Sequence, residues 1–299
     1  MNRIRLSPEE IELRMPAIGI AMKHHTFSHT SAIYGIFDES FGELVGSGTF
    51  VRLFGETFLL TALHVAQAKL ALTPNGLTRK YIGLAHSMTC EDPPRPLSAR
   101  CFGFPHPYDL CIFPVDDLNL SDRKALTIEA FAENASEADH DLLFVQGFPG
   151  EKSHSIFGVH SQTYPYTTTV GVCTKFDWFD QRLHIAVDFA SSGLKDELGN
   201  ATDLVDPHGM SGSAIWATGR TLTGDDWSPG KAKIVGVVHN WDDKAGSLVG
   251  TRIEIVREFL LHVIRSRFAY QNWQERGGPI NDDWYDWFKA VDKLPSLQS

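Results

Sequence analysis

Residues 207–216 read Pro207-His208-Gly209-Met210-Ser211-Gly212-Ser213-Ala214-Ile215-Trp216, a serine held among small residues at the mouth of an apolar strand. Glycines at 209 and 212 let the backbone turn tightly and let another chain approach closely. In such a turn the N–H groups of Gly209 and Ser211 can point into one hole. By itself the stretch is an ordinary Gly/Ser turn. Its weight comes from what stands upstream.

Two segments complete it. In Leu60-Thr61-Ala62-Leu63-His64-Val65-Ala66 an apolar strand runs into a histidine, after the Gly46-Ser47-Gly48 stretch. In Tyr108-Asp109-Leu110-Cys111-Ile112-Phe113-Pro114-Val115 an aspartate opens an apolar strand. A buried carboxylate is costly unless hydrogen-bonded, so Asp109 wants a partner. A weak hydroxyl nucleophile needs a base within reach, a group that fixes the tautomer of that base, and donors for a developing oxyanion. Ser211, His64, Asp109 and the 209–211 backbone have the right chemistry for these roles. Each also has a plain structural reading: a core-edge histidine, a strand-edge aspartate, a surface turn.

The rest of the chain reads mostly as strands. The stretches 43–51, 58–61, 110–115, 182–189, 233–238 and 248–253 are apolar or alternate with period two. Ser7, Pro8 and Glu10 predict a short opening helix that Pro16 ends. Residues 118–140 are polar and acidic and read as a linker between two lobes. Val256, Phe259, Leu260, Val263 and Ile264 share one helical face. Beyond them a tail from Gln271 carries Trp273, Trp284 and Trp287, read as packing onto the lobes in preference to docking another protein. The expected organisation is an N-terminal extension (1–29), a first lobe (30–135), a second lobe (136–254), and a C-terminal helix with its tail (255–299).

Composition bounds the function. The 299 residues carry a net charge of −10, are 42% hydrophobic and 21% charged, and so describe a folded chain. An acidic surface excludes nucleic acid as the main partner. No apolar run reaches membrane-span length, and the first fifteen residues hold no signal-peptide core. Cys90, Cys101, Cys111 and Cys173 match no metal knuckle, and Cys111 and Cys173 read as small buried hydrophobes in strands. The expectation is a reduced, cytoplasmic compartment. His24, His25 and His29 cluster in a polar stretch and read as exposed loop histidines, so no metal or other cofactor is called for.

Taken in order, the motifs resemble the chymotrypsin/trypsin-like serine proteases. That family has a Thr-Ala-x-His block after a Gly-Ser-Gly strand, an Asp-Leu block opening an apolar strand, and Gly-x-Ser-Gly, in the order His, Asp, Ser. Here His64, Asp109 and Ser211 stand 45 and 102 residues apart. Gly147-Phe148-Pro149-Gly150 is similar to the Gly-aromatic-Pro turn of the second barrel, and residues 235–241 to the strand that binds substrate. The resemblance spans about residues 30–268. It implies an all-β fold of two six-stranded antiparallel barrels closed by a C-terminal helix. It also implies a serine endopeptidase with Ser211 as nucleophile, His64 as base, Asp109 as orienting group, and an oxyanion hole from Gly209 and Ser211. Its partner is a protein or peptide substrate, with a regulatory protein possible and no nucleic acid or membrane.

Several positions depart from the digestive-type relatives. Met210 stands where they have an aspartate that pairs with a newly cut N-terminus, and no cysteine flanks His64. The Gly-Ser-Ala that follows the nucleophile's residue is closer to bacterial, viral and glutamyl-endopeptidase members. His239 replaces a small residue that supports the aspartate. The substrate-binding set the resemblance implies is Val205, His208, His239, Asn240 and Trp241. Val205 at the pocket base favours a small or apolar side chain; Asp203 or Asp206 would favour a cation, and His208 or His239 an acidic or amide group. The competing functions are a silent binding module on the same fold, a protease gated by a partner, and an esterase using the same triad.

Overall fold

A two-residue turn at Phe54-Gly55 shows how the sequence starts its first barrel. Leu53 pairs with Glu56, and the two residues between them have φ of 50° and 87°. Positive φ at both positions matches the right-handed twist of the flanking strands, β2 (Phe41–Leu53) and β3 (Glu56–Ala62). This computed structural model describes residues 8–38, 41–68, 76–85, 89–90, 94–97, 100–115, 123–138, 141–156, 159–189, 203–220, 227–279 and 283–294.

Two antiparallel sheets make up the body. The first contains β2 and β3 with β1 (Thr30–Ile36), β4 (Tyr81–Leu84), β5 (Thr89–Cys90), β6 (Arg95–Pro96), β7 (Phe102–Phe104), β8 (Leu110–Pro114), β10 (Ser153–Ile156) and β11 (Val159–Ser161). In the second, six strands run in the order β12 (Tyr164–Thr168), β9 (Leu143–Gly147), β14 (Ala214–Ala217), β15 (Lys233–Asp242), β16 (Ser247–Arg252), β13 (His184–Asp188). A bridge between Val170 and Val187 brings the two ends of that sheet together. This is the expected pair of curled sheets with a C-terminal helix. The first sheet holds ten strands among the described residues, because β10 and β11, within the stretch assigned to the second lobe, pair onto β2 and β5.

The run Phe58-Leu59-Leu60 is apolar throughout because both faces of β3 are covered. Leu59 joins Ile33, Phe50, Leu84 and Phe113 inside the first barrel. Phe58 and Leu60 face the other way, into the larger core with Phe144, Trp216, Val237 and Phe259. Phe259 lies on α3 (Ile253–Glu275), whose Ile253, Val256, Phe259, Leu260, Val263 and Ile264 are buried. At about 1.5–3 kcal/mol per buried apolar side chain, that stripe is what holds the helix in place.

Several expectations need correction. Pro16 does not end the first helix: α1 spans Pro8–Phe27 with Pro16 inside it. Ile18, Met22 and Thr26 are buried, and Gly19 lies close enough to β12 that a Cβ would sit 2.9 Å from Thr167 Oγ1. Burial of that face outweighs a proline cost of about 3 kcal/mol. His24 and His25 therefore lie in the last turn of a helix, and His25 packs 6.0 Å from the Trp216 ring. Ser7 falls outside the described residues. Residues 123–138 are more than a polar tether: Leu126, Phe131, Ala132, Ala135 and Ala138 are buried, with bridges from Leu126 to Val51 and from Phe131 to Ile234. Cys111 is buried in β8, whereas Cys173 lies outside any strand and is half-buried. In the tail, α4 (Asp283–Lys293) packs on α3, with Arg276 paired to the buried Asp286 and Trp287 5.4 Å from His262.

Candidate active site

Strand pairing places His64 beside Asp109. Ala62 at the end of β3 pairs with Leu110 at the start of β8, so the next residues of both strands leave the sheet at the same edge. Leu63 N–H donates to the Asp109 carbonyl at 3.1 Å and opens the short helix α2 (Leu63–Gln67). The Asp109 carboxylate then receives two bonds from one residue: His64 N–H to Oδ1 at 2.9 Å, and His64 Nδ1 to Oδ2 at 2.6 Å. With Nδ1 donating to the carboxylate, the lone pair of the neutral ring is left on Nε2. Burial works to raise the Asp109 pKa, but the hydrogen bonds and charge of His64 hold it below the ordinary value. Asp109 has φ of 48°, a left-handed conformation that costs about 1 kcal/mol or more outside glycine.

The serine turn can be read bond by bond. Met210 N–H donates to the Pro207 carbonyl at 2.9 Å, and Gly209, third in that turn, has φ of 98°. A positive φ there makes it a type II turn. The His208 carbonyl accepts from Gly150 N–H at 2.8 Å, and in a trans peptide the C=O and N–H point in opposite directions. The Gly209 N–H therefore points away from Gly150. Gly212 N–H is taken by the Val238 carbonyl and Ser213 N–H by that of Met210. Among the described residues, no acceptor in the protein takes the N–H of Gly209 or Ser211. Both glycines are obligatory: a Cβ would meet Phe148 O at 2.5 Å from Gly209, and Ser47 O at 1.9 Å from Gly212.

Ser47 fastens this turn to the first barrel, a role the sequence reading did not assign. Its Oγ donates to the Gly209 carbonyl at 2.7 Å and accepts from Phe148 N–H at 2.9 Å. Its N–H donates to the Ser211 carbonyl at 2.7 Å, and its own carbonyl accepts from Thr61 Oγ1 at 2.7 Å. The Gly46-Ser47-Gly48 run was the available signal, since a small hydroxyl residue between glycines marks a place where another backbone comes close. The Ser211 Oγ lies 3.5 Å from the His239 carbonyl and is not hydrogen-bonded to His64.

The five residues expected to bind substrate separate into two groups. His208 is exposed, its Nδ1 paired with Asp206 and its ring 6.0 Å from that of Trp241. Val205 is buried at 7% exposure, and Trp241 and Asn240 are half-buried on β15. His239 is the extra residue where the β15–β16 register shifts, and its ring turns into the core between Trp178 and His184, 5.7 Å from each. Burial drives its pKa down to about 3, so it is neutral. Met210 is fully buried and brings no charge to the site.

No family model and no curated protein matches this chain. Solved structures do. A collagenase (HL collagenase) superposes with a TM-score of 0.50 over 79% of this chain and 93% of that one, at 10% identity. The fold is trypsin-like. The active form of the Rv3671c protease from M. tuberculosis gives a TM-score of 0.47 at 14% identity, covering 82% of this chain and 85% of that one. The HtrA-type protease AlgW with a tripeptide gives 0.46 at 15%, covering 82% of this chain, which spans 63% of AlgW. At these identities the likeness extends to the trypsin-like fold and no finer. Among the described residues no group of His, Cys, Asp and Glu could hold a metal ion, and no helix is long and apolar enough to cross a membrane.

Proposed function

We propose that the protein is a serine endopeptidase that cleaves peptide bonds through an acyl-enzyme on Ser211. The observation that carries this is the pair of N–H groups, Gly209 and Ser211, that no acceptor among the described residues takes, flanking the hydroxyl in a turn whose other amides are bonded. An N–H pair left open beside a serine stabilises a tetrahedral oxyanion, at about 3 kcal/mol per donor. In the reaction the Ser211 side chain rotates from the His239 carbonyl to His64 Nε2. The hydroxyl adds to the substrate carbonyl while Nε2 takes its proton. Asp109 keeps Nδ1 protonated and stabilises the imidazolium. The same proton then passes to the leaving amine, and water, deprotonated by His64, releases the acid.

Met210, buried and uncharged, cannot form the ion pair by which an N-terminal cut activates digestive-type relatives. The full chain therefore reacts without processing. The resemblance puts Val205 at the base of the pocket, and a buried, uncharged valine there favours a small or apolar side chain before the scissile bond. Asp206 is spent on His208, and the His239 ring is turned into the core. The test is a fluorophosphonate probe on the intact chain, followed by mass spectrometry of the Ser211 peptide and cleavage of a peptide library. Labelling at Ser211, absent in Ser211→Ala, is expected. A folded protein that neither labels nor cleaves is a binding module on this fold, and ester turnover without peptide turnover makes it an esterase.

A further inference from the structure

We propose that His184 of the second sheet is a positioning residue that holds Asp109 against His64 by clasping the turn from which Asp109 emerges. The proposal rests on reading Asp109 as the group that orients His64.

The turn 105–109 joins β7 to β8 in the first sheet. Its internal bonds are few: Tyr108 N–H and Asp109 N–H both donate to the Pro105 carbonyl. The carbonyls of Pro107 and Tyr108 are each taken by a side chain of the second sheet. His184 Nε2 lies 2.9 Å from the Pro107 carbonyl, and Thr251 Oγ1 donates to the Tyr108 carbonyl. These two residues are cross-strand partners on β13 and β16, so one rung of the second sheet carries both donors.

The tautomer of His184 is set from the other side of its ring. Asp180 N–H donates to His184 Nδ1 at 3.1 Å, so the proton of the neutral ring is on Nε2, where the Pro107 carbonyl needs it. The ring is 1% exposed and cannot exchange this bond for water. Trp178 braces the same contact, with its ring edge-on to His184 and to His106, 5.0 Å from each. The turn is thus gripped at three successive residues, 106, 107 and 108, immediately before Asp109. The left-handed backbone of Asp109 is a conformation that persists only where its surroundings over-determine it. Leu63 N–H and His64 N–H tie Asp109 itself from the side of the first sheet, and the clasp fixes the turn that leads into it from the second. Because the grip comes from the other sheet, it also ties the geometry of the His64–Asp109 pair to the closure of the two sheets on each other.

The experiment compares full-length wild type with His184→Leu, which removes the donor at similar volume, and His184→Gln, whose amide can still donate to Pro107. Two readouts are taken: kcat and KM for a cleaved peptide, and the low-field proton resonance of His64 Nδ1–H, which requires only the Asp109 contact. His184→Leu is expected to lower kcat about 10- to 100-fold with KM within about twofold, because a catalytic group is displaced and not a binding contact. Its low-field resonance should broaden or move upfield, and His184→Gln should recover both readouts. Thr251→Val, which leaves His184 in place, should shift them in the same direction by less, and serves if His184→Leu does not fold. A folded His184→Leu with unchanged resonance and kcat overturns the clasp, as does equal loss in the Leu and Gln variants. A wild type with no low-field resonance also overturns it. If wild type neither labels nor cleaves but the resonance moves in Leu and not in Gln, the protease reading fails and the clasp stands.

Discussion

Gly209 and Ser47 carry the sharpest residue-scale consequences. Gly209→Ala forces a Cβ into the Phe148 carbonyl, 2.5 Å away, at a φ that disfavours any side chain. The turn must then flip its His208–Gly209 peptide, which takes one donor out of the hole. Fluorophosphonate reactivity should fall at least about 100-fold, with about 1–3 kcal/mol lost from stability; an unchanged labelling rate would remove Gly209 from the oxyanion hole. Ser47→Ala strips the Gly209 carbonyl and the Phe148 N–H of their shared partner. Urea denaturation should show a loss of about 2–3 kcal/mol, the cost of two buried polar groups left open, together with slower labelling. Of these two residues only Gly209 was legible in the sequence. A glycine two before a serine in a Gly/Ser turn has few explanations, whereas Ser47 matters only because a chain more than 160 residues away folds onto it.

At the scale of elements, the β15–β16 hairpin depends on one carboxylate. Asp242 is fully buried at the end of β15 and accepts from Thr174 N–H, Lys175 N–H, Lys244 N–H and Ala245 N–H. Burial alone would push its carboxyl up, but these four bonds hold it far below the usual range. Asp242→Ala should cost about 2–3 kcal/mol and free the 171–183 segment that carries Trp178, seen as faster hydrogen exchange of Thr174 and Lys175. Protection unchanged in the variant would show that the segment is held elsewhere. In α1, Pro16 sits exposed within the helix. Pro16→Ala should restore a helical hydrogen bond and raise Tm, and a lower Tm would mean that Pro16 itself is needed for docking. The helix was misread from sequence because a proline is a local signal, and the burial of Ile18, Met22 and Thr26 is not.

For the whole molecule, four histidines set the response to acid. His25, His29, His184 and His239 all have pKa values lowered, in each case first by burial. A base whose folded pKa lies below its unfolded value of 6.5 takes up protons more readily when unfolded. Stability is therefore full above pH 6.5 and falls as the pH drops below it, continuing for His239 to about 3. Each such histidine contributes a slope of up to about 1.4 kcal/mol per pH unit within its own window. Urea midpoints measured from pH 7.5 to 4.5 should decline, and His239→Phe should flatten the decline; a profile level through that range would contradict the buried neutral rings. The surface charge of −10 acts in the opposite sense, since its self-repulsion weakens as carboxylates protonate.

Sequence by itself determined the order His64, Asp109, Ser211, the strand-rich body and the terminal amphipathic helix. These features are written locally, as periodicity, as glycines where a backbone must turn, and as a polar residue at the edge of an apolar strand. Only the tertiary structure decided which N–H groups stay open among the described residues, because that depends on the donors Gly150 N–H and Ser47 Oγ and on the Val238 carbonyl, each brought from another part of the chain. The same holds for the turn that presents Asp109, gripped by His184 and Thr251 from the opposite sheet, and for the ring of His239, which a one-residue bulge sends inward. Register and long-range closure are properties of paired strands, and no window of sequence contains both partners of a pair.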